Sequence, residues 1–241
     1  QVLRQLDRLV YEADSPEVTY RFGKRCLEQG LTELGCVAIE TFGQRSQRVE
    51  GLLEAAASWA KAREHTRALA LTQQVLKKAP DHKRALELGA MCAYALGELN
   101  PLSVYGLRRL EQGGVDPADV WVLGGLNRLR HAIERHGEAV KWARLLLQAE
   151  VAVESVWLTL VEHSTDRDEV KRGLRFFVDG SSHGQDSRRM LEAAANRFSH
   201  DLELARWVYE RDPESERTQA LLLGNLIDEP LSPLRFELHR Q

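Results

Sequence analysis

The side chains in this chain of 241 residues that are best suited to chemistry are eight histidines, three cysteines and many carboxylates. Their spacing argues against a metal or catalytic set. His131 and His136 are five apart and so do not share a helix face, while His163, His183 and His200 have no cysteine or carboxylate at ligand spacing. Cys26, Cys36 and Cys92 are odd in number and each lies within a helical pattern, so they read as small buried hydrophobes in a reducing compartment. The run Gly180-Ser181-Ser182-His183-Gly184 has the outline of a nucleophile elbow, but it follows no strand and reads as a loop. Gly113-Gly114 and Gly124-Gly125 lack the spacing, and the Lys-Ser/Thr that should follow, of a phosphate-cradling loop. No metal and no cofactor is called for, and nothing in the sequence is positive evidence for an enzyme.

The charges read as solvated helix faces. Glu134 with Glu138 and Lys141, or Glu203 with Arg206, are spaced for surface pairs that support a helix by about 0.2–0.5 kcal/mol each. Arg128, Arg130, Arg135, Lys141 and Arg144 form one basic stretch, the first place to test for an acidic protein or a lipid surface. The formal charge of -3 gives no global attraction to phosphate backbones, which disfavours nucleic acid as a partner. The hydrophobic fraction of 43% with 29% charged is that of a folded chain, and no apolar run approaches the roughly 18 residues of a membrane span.

The elements that would position these groups are helices in pairs. Close helix packing needs small side chains, and these recur: Gly23, Ala56, Gly89 and Gly124 in one series, at steps of 33, 33 and 35. The second series is Gly35, Ala68, Ser103, Ala139, Gly173 and Ala205, at steps of 33, 35, 36, 34 and 32. Large apolar residues flank them at helical spacing, as with Leu52, Ala56 and Trp59, and Leu69, Thr72, Val75, Leu76 and Ala79. Pro80-Asp81, Asp116-Pro117 and Asp212-Pro213 punctuate the units.

This pattern resembles the tetratricopeptide repeat family. Leu52, Ala55-Ala56, Trp59, Ala68 and Pro80 match its signature in the clearest unit; Leu88-Gly89 with Ser103, and Trp121, Leu123-Gly124 and Ala139, carry the next two. Phe22-Gly23 with Gly35 makes an earlier unit, and 150–213 lacks the Leu-Gly pair. The resemblance implies an all-α fold, a right-handed α-solenoid of antiparallel helix pairs in a superhelix. It also implies that first helices line a concave groove holding a partner protein, with Tyr20, Lys24, Leu53, Lys61, Leu86, Tyr94, Trp121, Arg128 and Glu162 at the lining places. The carboxylate-clamp set of Lys and Asn is not reproduced. The expected function is thus a non-enzymatic protein-binding scaffold, with no small-molecule substrate. Richness in Ala, Arg and Leu looks bacterial, where such repeats serve envelope and exopolysaccharide-synthesis complexes. That setting is cytoplasmic, with membrane association through a region outside this segment. Two other classes are a helical-toroid enzyme, which needs convergent Asp or Glu, and an RNA-binding helical repeat, which needs cationic inner faces throughout.

In order, 1–14 reads as a leading cap helix. About six helix pairs follow over 15–213, at 15–43, 45–79, 82–114, 117–149, 152–179 and 185–211, clearest at 45–149. A closing helix spans 214–228. The alternation of Leu234, Phe236 and Leu238 with Arg235, Glu237 and His239 marks 229–241 as an extended tail, expected either to lie against the last helices or to link to an absent domain. The chain opens at Gln1 rather than Met, which predicts an excised segment. The Gly- and Ser-rich 178–186 is the expected irregularity in the array.

Overall fold

Ser15 sits in an extended conformation and Pro16 takes the first helical position, where its missing N–H leaves no bond unmade. The Ser15 hydroxyl donates to Glu17 at 3.0 Å, so it does not cap the backbone. From there the computed structural model describes residues 15–179, 201–210 and 216–227. The expected leading helix at 1–14, the loop from 180, residues 185–200 of the 185–211 pair and the 229–241 tail lie outside the described residues.

Every regular element among the described residues is helical. We number them α1 Pro16–Glu28, α2 Thr32–Ser46, α3 Val49–Lys61, α4 His65–Lys78, α5 Lys83–Leu96, α6 Leu99–Glu111 and α7 Val120–His131. After a short 3-10 turn at Ile133–Arg135 come α8 His136–Gln148, α9 Glu154–His163, α10 Arg167–Asp179, α11 Leu202–Tyr209 and α12 Glu216–Ile227. The chain divides into two compact units, one ending at Leu129 and the other beginning at Arg130.

In the first unit each helix from α1 to α5 packs against the next, and α3 also touches α5 directly. The small residues make this possible. Gly23 and Gly35 face each other: a Cβ on Gly35 would lie 2.7 Å from Leu27 and 2.9 Å from the Gly23 carbonyl, and one on Gly23 would lie 2.8 Å from Ile39. Ala56 and Ala68 are fully buried. At Gly89 a Cβ would lie 2.8 Å from the Tyr105 ring, and at Gly124 it would strike the Tyr94 ring. Gly43 and Gly51, which belong to neither series, bring α2 against α3, with a Cβ on Gly43 placed 2.8 Å from the Gly51 carbonyl. Around these contacts Ile39, Leu52, Trp59, Leu69, Val75 and Leu86 form one buried core.

The turn that closes the first helix of a pair is the same three times. The Leu31 N–H bonds to the Cys26 carbonyl at 2.8 Å, Glu64 to Trp59 at 3.0 Å and Glu98 to Ala93 at 3.0 Å. The left-handed residue inside each turn is Gly30, Arg63 and Gly97, with φ of 75°, 64° and 77°. This is the hydrogen-bonded stop that satisfies orphan carbonyls at a helix end. Polar ties also repeat between units of the array. Lys78 donates to the Gln47 carbonyl at 2.9 Å, and Gln112, 34 positions later, donates to the Asp81 carbonyl, 34 positions after Gln47, also at 2.9 Å.

In the second unit α9 packs on α8 and α10, and α11 on α12. Val161, Val170, Leu174, Phe177, Leu204 and Val208 form its core. Val161 occupies the place where the first-helix series would want a small residue. Gly173 compensates, since a Cβ there would lie 2.6 Å from Val161 Cγ2. The three cysteines are free and buried, and burial pushes the thiols of Cys36 and Cys92 up to about 11. No helix among the described residues is long and apolar enough to cross a membrane.

Candidate functional surface

An α-helix turns about 100° per residue, so positions i, i+3, i+4 and i+7 make one stripe. In α3 the stripe Glu54, Ala57, Ser58 and Lys61 faces away from the core, and in α5 so does Arg84, Glu87, Leu88 and Met91. The α3 stripe and Arg84 of α5, with Lys24 and Leu27 of α1, line a cavity of about 380 Å³. A second cavity of about 400 Å³ continues along the same side to Asp119 and Trp121 at the start of α7. Ala57, Lys61 and Arg84 belong to both, so the two form one groove along first helices.

The groove is electrostatically built. The Tyr20 hydroxyl donates to Glu54 at 2.9 Å, and the Lys24 ammonium pairs with the other carboxylate oxygen. Burial alone would raise the Glu54 carboxyl, but the hydrogen bonds from Lys24 and Tyr20 outweigh it and hold the group below its usual value. At the other end, burial pushes the Asp119 carboxyl above its usual value, helped by Glu87 and Asp116 and opposed by Arg109 and a hydrogen bond from Trp121. A carboxylate perturbed in this way inside a cleft marks a candidate binding position. Glu87 is engaged by Arg109 at 3.2 Å, and Arg109 is itself buried, donating also to the Gly113 and Gly114 carbonyls at 2.8 and 3.1 Å.

The nine residues expected on the lining divide. Lys24 and Lys61 face the groove, and Trp121 forms part of its floor with 3% of its surface exposed. Tyr20 stands beside it, packed on Phe42 with ring centroids 4.9 Å apart. Leu53 and Leu86, at 5% and 0% exposed, are core residues. Each lies one position before a groove residue, Glu54 or Glu87, and one residue is enough to rotate a side chain from groove to interior. Tyr94 and Arg128 are brought together: the guanidinium lies 4.2 Å from the ring centroid and donates to the Tyr94 carbonyl, while the ring covers Gly124. That pair ties α5 to α7. Glu162 belongs to the second unit, where it accepts from Arg130 at 3.2 Å.

Sequence spacing missed Arg84, Glu87, Met91 and Asp119. The i, i+3, i+4, i+7 stripe of α5 carries the first three and was available as a signal; Asp119 was not, because it is the shared cavity with α3 and α5 that sets it apart. The structure also stacks His136 on His163 with centroids 3.7 Å apart, a meeting of α8 and α9 that linear spacing does not show. Among the described residues no group of three His, Cys, Asp or Glu is placed to hold a metal ion. A cavity of about 340 Å³ between α2 and α4 offers less, since Glu40 accepts from Trp59 Nε1 at 2.7 Å and Arg67 stacks on the same ring.

No family model matches the chain, and no curated protein matches it significantly.

Proposed function

We propose that this chain is a tetratricopeptide-like scaffold, a right-handed superhelix of helix pairs, that binds another protein along its first-helix groove and performs no catalysis of its own. The observation that carries this reading is the continuity of the two cavities across α1, α3, α5 and the start of α7. A rigid repeat array with a preformed polar and apolar groove lowers the ordering cost of binding, so modest contacts suffice. The direct approach of α3 to α5 supports first helices on the inner side of the curve. On the family resemblance, the partner is a protein of a bacterial envelope or exopolysaccharide-synthesis complex, membrane-tethered, with this chain on the cytoplasmic side.

The test is quantitative affinity capture from cells with three baits: the wild-type chain, the groove variant R84E/M91D, and Q74E on exposed second-helix surface. A partner retained by wild type and Q74E but lost by R84E/M91D supports the groove. Equal retention by all three baits removes the groove from the function.

A further inference from the structure

The charges of the groove are unequally satisfied, and this bears on what it holds. Lys24 is paired with Glu54, and Glu87 with Arg109. Lys61 is exposed and makes no hydrogen bond or ion pair among the described residues, and Arg84 acts on Glu54 only through space. Both cations stand on the ridge that the two cavities share. Beside them lies an apolar well of Ala57, Leu88, Met91 and Trp121, in which Met91 remains 38% exposed on a helix whose other face is buried alanine and leucine. Glu87, one helical turn from both Arg84 and Met91, and Asp119 line the same cavity.

We infer that the groove takes a peptide segment of another protein in which an acidic side chain stands next to a large apolar one. The carboxylate seats over Lys61 and Arg84, and the apolar side chain enters the well against Met91 and Trp121. Cations with no ion pair among the described residues, beside a water-exposed thioether, fit this pairing, because the cations select charge and the adaptable sulfur side chain supplies apolar contact. Glu87 and Asp119 limit the charge of the segment: beside the apolar residue a second carboxylate is repelled, whereas main-chain N–H groups or a cation are accepted. The same carboxylates, with Glu54, oppose a nucleic-acid strand, whose charge repeats at every nucleotide. This inference rests on the scaffold reading above and specifies its ligand.

Panning a random twelve-residue peptide library on the full chain tests it, followed by anisotropy with the enriched peptides made synthetically. The expected consensus is Asp or Glu within three positions of Leu, Met, Phe or Trp. Affinity should fall at least tenfold with K61E/R84E and with M91D. Replacing the peptide's acid by Lys should restore binding to K61E/R84E. Thermal melts monitor folding, and K61Q/R84Q replaces the reversal if that variant does not fold. No enrichment, a basic or charge-indifferent consensus, or binding that survives K61E/R84E overturns the inference. So does self-association in sedimentation that K61E/R84E abolishes, since the occupant would then be a second copy. If such a result coincides with groove-dependent capture in cells, the scaffold reading stands and only the ligand chemistry falls.

Discussion

The two units solve the same packing problem differently. Up to Leu129 the close contacts come from missing side chains, and two glycines can meet backbone to backbone, as Gly23 and Gly35 do. From Arg130 on, the first-helix vacancy is filled by Val161 and only the partner helix keeps its gap, at Gly173. Charged side chains take a larger part there. Arg144 holds Glu169 in a two-bond fork at 2.7 and 3.0 Å, and the buried Ser164 hydroxyl donates to the same carboxylate at 2.6 Å. A helical repeat thus needs one vacancy per contact rather than two, which is why one small-residue series blurs late in the chain while the other persists.

The sharpest way to break this comparison is to fill the vacancies. Gly35→Leu should lose about 3 kcal/mol in urea unfolding, since the added carbons meet the unyielding Gly23 carbonyl. Gly173→Ala should lose less, about 1 kcal/mol, because its nearest neighbour is the Val161 side chain. The reverse order would show that the second unit is the tighter one.

Next in size is the ionic fork. Glu169→Ala should cost on the order of 2 kcal/mol by leaving Ser164 and Arg144 without their acceptor. Glu54→Ala in the first unit should cost under about 1 kcal/mol, as its side chain is one-third exposed. Equal costs would erase the distinction between the units.

Acid titration probes the same pair of regions. Glu54 and the exposed Glu203 are both held below the usual carboxyl value, Glu203 by the Lys171 hydrogen bond and the Arg167 charge. The stability each adds is in place above the unfolded value of about 4.3 and is lost as pH falls through the lower folded value. E54Q should therefore flatten the acid limb of a stability–pH curve, and the effect should weaken with salt less than that of E203Q, because Glu54 is two-thirds buried. E203Q should do so only at low salt, because exposed charges are screened. The smallest effect is expected at Arg63, whose φ of 64° suits glycine. Arg63→Gly should change the unfolding midpoint little and upward, by roughly 0.5 kcal/mol, with relief of strain outweighing the added freedom of the unfolded chain.

How far the site was readable follows from the same geometry. Lys24 and Lys61 were found by counting from the small-residue anchors, but that count also picked Leu53 and Leu86, one step and 100° from the groove. Arg109 reads as one more surface cation between Arg108 and Leu110, yet it is 6% exposed and links α5 to the turn after α6. Burial of a charge depends on what covers it, and for Arg109 the partners include Glu87 on another helix, 22 positions back.

By itself the sequence determined that the chain is helical, where most of its helices stop, and which residues are small enough for neighbours to touch. Those properties are local: a turn, a proline, a stripe and a vacancy are each encoded within a few positions. Only the tertiary structure decided which face became a groove, that Lys61 and Arg84 both stand on the ridge its two cavities share, and that Asp119 is partly desolvated. Each of these depends on side chains of different helices, whose distances are fixed by packing and not by spacing along the chain.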